Sequence, residues 1–331
     1  MIGVEPILFS AAVLDLDLRE TADRIADALR RQVVRQLRRK GVVVGLSGGI
    51  DSSVCAALSV RAFGPENVFG LMMPEHDSDP DSLELGRSVA RQFGFEAIVE
   101  DVGPMLDGAA CYQRRDEAFR SVLPEFGDGW RAKIVLPSLF GESVYRVFSV
   151  VAESPDGETH RVRLPLAAYQ TIVAATNFKQ RMRKTMEYFH ADRLRYAVVG
   201  TPNRLEYDLG FFVKNGDGSA DVKPIAHLYK TQVYRLAEFL GVPEEICTRP
   251  PTTDTYTLAQ SQEEFFFSLP YDQMDLCLFG KDHEVAADEV ATTVGLTPEQ
   301  VLRVYDDIDA KRKVAEYLHE RPLLVESVDS Q

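Results

Sequence analysis

Apolar positions change their spacing along the first hundred residues in a repeating way. Over residues 18–41, LRETADRIADALRRQVVRQLRRKG, Ile25, Leu29, Val33 and Leu37 recur at helical spacing, which predicts an amphipathic helix stopped by Gly41. The run VVVGL that follows (42–46) is short, continuous and β-branched, as a strand buried on both faces of a parallel sheet must be. The pairing then repeats. NVFGLMMP (67–74) reads as a strand, DSLELGRSVARQFG (81–94) as a helix with a glycine stop, and FEAIVEDV (95–102) as a strand. Strand and helix alternating at this pitch predict an α/β fold: a doubly wound parallel sheet with helices on both faces.

The alternation breaks over residues 104–168. A short helix is predicted around YQRRDEAFRSVL (112–123), and two alternating runs flank Pro155-Asp156-Gly157, a hairpin pattern. This stretch reads as an insertion on one continuous domain, 1–331, and not as a domain of its own. A long helix resumes in YQTIVAATNFKQRMRKTMEYFHADRL (169–194), and YAVVGTP (196–202) is a further strand ending in a polar turn. From LYKTQVYRLAEFLG (228–241) onward the chain reads as mainly helical. The C-terminal part, about 256–320, carries SQEEFFFSL (261–269) and PEQVLRVYDDIDAKRKVAEYLH (298–319).

Composition narrows the classes. Hydrophobic residues make up 45% and charged residues 27%, as in a soluble globular protein. Basic residues number 37 against 51 acidic ones, and the net charge of −14 argues against a surface that coats nucleic acid. No apolar run approaches the roughly 20 residues of a membrane span, and the apolar N-terminal patches follow no basic leader. Cys55, Cys111, Cys247 and Cys277 show no CxxC spacing, which fits a reducing, cytoplasmic setting without structural zinc or disulfides. His76, His160, His190 and His227 have no metal-ligand spacing.

The chemistry concentrates in VVVGLSGGIDSSVCAAL (42–58), where a buried strand hands over to a helix. Ligands of α/β sheets bind beyond the carboxyl ends of the strands, where free N–H groups and the helix dipole favour anions. Gly48 and Gly49 permit close approach of backbone to phosphate, and Ser47 and Ser52 add hydroxyl donors. Asp51 would repel a phosphate unless a cation stood between them, and Mg²⁺ would resolve that conflict. The GK[ST] ending of the Walker loop is absent. The other reading is an ordinary strand-to-helix turn with Asp51 or Ser52 as the helix cap.

SGGIDS resembles the pyrophosphate-binding loop of the ATP pyrophosphatases, which include GMP, asparagine and NAD synthetases. Residues 198–254, VVGTPNRLEYDLGFFVKNGDGSADVKPIAHLYKTQVYRLAEFLGVPEEICTRPPTTD, are similar to the ammonia-dependent NAD synthetases, and NFKQRMRKTMEYFHADRL resembles that family's preceding helix. The resemblance covers residues 20–103 and 170–315. It implies the Rossmann-like fold of the adenine nucleotide alpha hydrolases. It also implies adenylation by ATP of the carboxylate of nicotinic acid adenine dinucleotide, then amidation by ammonia to give NAD, AMP and pyrophosphate. By motif position it assigns ATP to Gly45, Leu46, Ser47, Gly48, Gly49, Ile50, Asp51, Ser52, Thr201, Lys230 and Thr252. Asp51 and Glu206 become the Mg²⁺ carboxylates, and Asp51 and Lys230 the catalytic groups. Arg181, Lys214, Asp221 and Lys311 fall on dinucleotide-binding positions. Homodimers are the rule in the family, and ammonia arrives free or from a separate glutaminase subunit, since this chain has no room for a glutaminase domain.

Three features depart from the family pattern. Where relatives carry HKR, this chain has Ala310, Lys311 and Arg312. The segment 104–168 is longer than in compact members. MPEHDSDPDSLE (73–84) is acidic for the neighbourhood of a nucleotide. These concern the acceptor side and leave one alternative, a paralogue that activates a different carboxylate. A reading from another class, a non-catalytic nucleotide-binding subunit, would call for loss of Asp51, Glu206 or Lys230, and all three are present.

Overall fold

A computed structural model of the chain describes residues 9–135, 148–249, 256–258 and 266–326. Helix α1 (Leu18–Arg30) starts at Asp17, whose side chain accepts a hydrogen bond from the Glu20 N–H at 2.8 Å. It buries Ala22, Ile25, Ala26 and Leu29. The predicted stop at Gly41 is corrected. The helix loosens into wider turns over Arg31–Gln36, buries Val33, and ends where Arg38 adopts a left-handed φ of 55°. Leu37 is left 40% exposed. Gly41 serves a different purpose: a Cβ there would lie 2.2 Å from the Asn67 carbonyl and 2.8 Å from the Tyr196 ring.

Strand β1 (Val42–Gly45) leads into α2 (Ile50–Phe63), β2 (Val68–Met72), α3 (Pro80–Phe93) and β3 (Glu96–Val99). Helices α4 (Gly103–Gly108) and α5 (Cys111–Arg120) follow, then β4 (Arg131–Val135), β5 (Ser149–Glu153) and β6 (Thr159–Arg163). The long α6 (Leu166–Leu194) leads to β7 (Ala197–Val199), α7 (Arg204–Leu209), α8 (Lys230–Leu240) and α9 (Glu244–Cys247). Helices α10 (Tyr271–Asp282), α11 (Ala287–Val294) and α12 (Pro298–His319) complete the order.

The main sheet runs β3-β2-β1-β7, and all its pairings are parallel. Alternate side chains of each strand enter opposite cores. Val42, Val44, Val68, Ala197 and Val199 pack with α1, α2 and α8, while Val43, Phe69, Leu71 and Val198 pack with Ala191 of α6. Helices therefore cover both faces, as the uninterrupted apolar strands require. The chain moves outward from β1 to β3, then returns to place β7 on the other side of β1. That reversal puts a crevice at the carboxyl ends of β1 and β7, where ligands of such sheets bind.

The predicted hairpin is present: β5 and β6 pair antiparallel, and Gly157 at the turn has a φ of 88°. A third strand, β4, which no pattern in the sequence predicts, pairs antiparallel with β5. This small sheet buries Ala132, Ile134, Val150 and Ala152 against Ala118 and Phe119 of α5 and Ile172 of α6. The C-terminal helices share a separate apolar cluster. Of the helix predicted over 261–269, residues 261–265 lie outside the described residues, and Phe267 is buried in that cluster. Among the described residues no helix is long and apolar enough to cross a membrane.

The crowding at Gly41 gives a stability test. Gly41→Ala is expected to lower the unfolding free energy by about 1–3 kcal/mol in a denaturant titration, because backbone must move to admit the methyl group.

Candidate active site

Strand β1 ends in the loop 46–49, anchored by the Leu46 N–H on the Leu71 carbonyl at 2.7 Å. Gly48 takes a φ of 74°, and a Cβ there would lie 2.8 Å from the Ser82 carbonyl. At Gly45 a Cβ would lie 2.9 Å from Glu187 Oε1. The N-cap of α2 is Gly49, and no side chain caps the helix. The reading of Asp51 or Ser52 as a simple cap is thereby overturned. Ser52 Oγ donates to the Gly49 carbonyl at 2.9 Å and accepts from the Ser47 N–H at 3.4 Å, which shapes the loop. The uncapped first turn of a 14-residue helix faces the crevice, an arrangement that suits an anion.

Asp51 lies in the first turn of α2 and meets residues distant in sequence. The Lys230 Nζ, at the start of α8, donates to Asp51 Oδ2, and Asn203 Nδ2 donates to Oδ1 at 3.1 Å. Asn203 is also the N-cap of α7. Its side chain accepts from the Glu206 N–H at 3.2 Å, while Glu206 Oε2 accepts from the Asn203 N–H at 3.2 Å. One asparagine thus positions both acids. Lys230 is 1% exposed, and its backbone N–H donates to Asp275 of α10 at 3.3 Å. Asp275 also accepts from the N–H and the hydroxyl of Thr231, each at 2.8 Å.

The charge balance around this point is negative. Burial, and next the charge of Asp51, push the Glu206 carboxyl up to about 8. Burial opposes the charge on Lys230, yet Asp51 and Glu206 outweigh it and raise the ammonium above its ordinary range. Burial and then the same two acids raise the Cys55 thiol beneath them. Two carboxylates sharing one lysine are a fit for a hard divalent cation. Among the described residues no three His, Cys, Asp or Glu side chains converge, so a cation at Asp51 and Glu206 would take its remaining ligands from phosphate and water, as Mg²⁺ does.

A cavity of about 750 Å³ opens above this cluster. Gly45, Leu46, Ser47, Gly48, Gly49, Ile50, Asp51, Ser52, Thr201, Glu206 and Lys230 all line it. Thr252 lies outside the described residues. The four dinucleotide positions are not on this wall. Arg181 donates to the Lys214 carbonyl at 3.2 Å, and Lys214 Nζ donates to the Tyr317 carbonyl at 2.7 Å. Asp221 accepts from the Val198 N–H at 2.8 Å and so tethers β7. Lys311 holds Asp307 and the Phe266 carbonyl, each at 2.6 Å, and Phe266 does line the cavity. Arg312 ties α12 to Asp208 and Asp282.

Sequence reasoning missed Asn203, although N-R-L-E is a legible capping box. It also missed Lys184 and Glu187, a buried pair 2.6 Å apart on the cavity wall, along with Arg183 and Arg249. Burial raises the Glu187 carboxyl, with Lys184 opposing. Nothing in the basic run of α6 says which of its cations turn inward. The acidity of residues 73–84 is neutralised locally: Glu75 and Asp77 pair with Lys179, Asp77 also with Arg115, and Asp79 with Arg249.

Residues 21–122 and 159–315 match the sequence pattern of the NAD synthase family, leaving 123–158 unmatched, a narrower stretch than 104–168. An NH(3)-dependent NAD(+) synthetase of Mesorhizobium japonicum is 61% identical over 312 residues, 94% of this chain and 98% of that relative. Two solved structures share the fold at 22% identity. An NMN synthetase from Francisella tularensis superposes with a TM-score of 0.63, covering 94% of this chain and 99% of that one. An NH3-dependent NAD synthetase from Campylobacter jejuni does so at 0.61, covering 94% and 100%.

The raised Glu206 carboxyl sets a pH dependence. A folded pKa above the ordinary 4.5 favours the protonated native state, so this contribution is complete below 4.5 and is lost as pH rises toward about 8. In chelator with no nucleotide, the melting temperature of the wild type should therefore fall across that range relative to Glu206→Gln. Parallel pH profiles for the two proteins would remove the assigned cause.

Proposed function

The chain belongs to the NAD synthase family, and on that premise we propose that it forms NAD by ATP-dependent amidation of nicotinic acid adenine dinucleotide with ammonia. A carboxylate does not react with ammonia near neutral pH, because oxide is a poor leaving group. The carboxylate oxygen attacks the α-phosphorus of ATP, and the bond to the β-phosphate oxygen breaks to release pyrophosphate. Ammonia then attacks the carbonyl carbon of the mixed anhydride, AMP departs, and loss of a proton leaves the amide.

What supports this reading is the meeting at one point of the glycine loop, Asp51, Glu206 and Lys230, with Asn203 bonded to both acids. In this reading residues 45–52 receive the pyrophosphate portion, so that leaving-group charge develops against dipoles fixed beforehand. Thr201 and Thr252 add further contacts to ATP. Lys230 brings a compact positive charge that its pairing with Asp51 keeps protonated in the buried site. Asp51 and Glu206 would hold Mg²⁺, which neutralises phosphate oxygens and makes the α-phosphorus more electrophilic. Arg181, Lys214, Asp221 and Lys311 stand outside the cavity wall and belong to the acceptor's approach, which a second copy of the chain completes. The nitrogen comes as dissolved ammonia or from a separate glutaminase, in the cytoplasm, and 1–331 acts as one ATP pyrophosphatase domain.

With ATP, Mg²⁺, ammonium and nicotinic acid adenine dinucleotide, NAD and AMP are expected in equal amounts. Turnover only with some other carboxylate would replace the acceptor, and ATP binding without any turnover would replace the reaction. Asp51→Asn and Lys230→Met should each lower kcat by about 10²–10³-fold while retaining a cooperative melt. Turnover near that of the wild type in Asp51→Asn would remove its assigned role.

A further inference from the structure

We propose that helix α5 is a brace that sets the position of the nucleotide-side wall of the cavity, with Tyr112 and Arg115 as positioning residues for the loop 73–79. The inference rests on ATP being the ligand of the cavity. The loop leaves the carboxyl end of β2, next to β1, and Met73, Pro74, Glu75, Ser78 and Asp79 line the cavity. Glu206, on the helix that follows β7, meets the glycine loop from the β7 side, and Lys230 reaches Asp51 there from α8. A nucleotide with its pyrophosphate on that loop therefore runs its nucleoside toward β2.

The loop 73–79 contains no strand or helix, so its shape depends on side chains. A few bonds are internal: Ser78 N–H to the Glu75 carbonyl at 3.0 Å, Glu75 N–H to Ser78 Oγ at 3.0 Å, and Asp77 N–H to Glu75 Oε2 at 3.0 Å. The others come from outside. The Tyr112 hydroxyl donates to Glu75 Oε2 at 2.7 Å and accepts from the His76 N–H at 3.3 Å. Lys179 of α6 donates to Glu75 at 3.2 Å and to Asp77. Arg115 donates to Asp77, and to Asp116 at 2.8 Å. The Tyr112 ring has the Lys179 ammonium and the Arg115 guanidinium each 5.4 Å from its centroid.

These groups are out of water. Side-chain exposure is 0% for Glu75, 2% for Lys179, 6% for Asp77 and 11% for Arg115. A buried charge network has few arrangements that satisfy every member, so it fixes position more than it adds stability. The small sheet contributes by holding α5: Phe119 and Ala118 are packed against Ala132, Ile134 and Val150. The strands outside the family pattern thus act on the active site through α5, with no contact to the reacting atoms required.

The test is the affinity for Mg²⁺–ATP in Tyr112→Phe, Arg115→Met and Arg115→Lys, measured by calorimetric titration of the full chain and as KM for ATP. Losing the Tyr112 hydroxyl should weaken ATP by about threefold to tenfold, and Arg115→Met by about tenfold or more, with Arg115→Lys in between. The acceptor KM and kcat should change less than the KM for ATP. A lowered melting temperature with unchanged ATP affinity in Tyr112→Phe would overturn the brace and leave a stabilising role alone. Should Arg115→Met fail to fold, Tyr112→Phe still decides. The titration needs no turnover, so a wild type that binds ATP but makes no NAD would overturn the proposed reaction without touching this inference.

Discussion

The buried pairing of Asp51 with Lys230 is the constraint on which the site depends. The Lys230 ammonium is out of water while Asp51, 16% exposed, stands at the edge of the cavity. The lysine charge is tolerable there only because the carboxylate is beside it, and a buried ion that loses its partner costs several kcal/mol, about 3–5. The pair links the first turn of α2 to the first residue of α8, two elements 179 positions apart. It therefore closes the crevice between β1 and β7 with a contact that tolerates little displacement. Asp275 adds to this from below by accepting the first N–H groups of α8, so the lysine stem is fixed at its root as well as at its tip.

Asn203 converts this pair into a site. It occupies a helix N-cap, where asparagine is favoured for an ordinary local reason, and spends its amide nitrogen on Asp51. The same residue thereby sets the start of α7, the orientation of Glu206 and the orientation of Asp51. Burial, and next the negative charge of Asp51, raise the Glu206 carboxyl, and the two acids together suit a divalent cation better than a second lysine would. Local capping and the placing of the two acids are here the same set of hydrogen bonds.

The second charge network, around Glu75 and Asp77, has the opposite balance. Lys179, Arg115 and Arg183 surround these acids, and Asp77 is held below its ordinary range because Lys179 and Arg115 together outweigh burial. The acidic run over 73–84 thus reaches the cavity wall already paired with cations. The cations come from α5 and α6, which also carry the small sheet. Elements peripheral to the reaction still shape the wall that faces it.

The sequence by itself determined the parallel sheet, because β-branched runs such as Val42–Val44 can be buried on both faces only between helices. It also made the glycine loop legible, since Gly48 and Gly49 with Ser47 and Ser52 directly follow a buried strand, and the order of its motifs placed Asp51, Glu206 and Lys230 in one family's pattern. The hairpin around Gly157 was legible from its turn residues. Strand β4 was not, because its pairing partner lies beyond a break in the pattern and strand pairing is a non-local choice. Helical spacing carries the first helix to Gly41, but that glycine answers to Asn67 and Tyr196 and the helix ends before it. Only the tertiary structure decided which cations of α6 turn inward, that Asn203 serves two acids, and that Arg181, Lys214, Asp221 and Lys311 stand off the cavity wall. Charges pair according to distance in space, and a linear pattern carries no record of that distance.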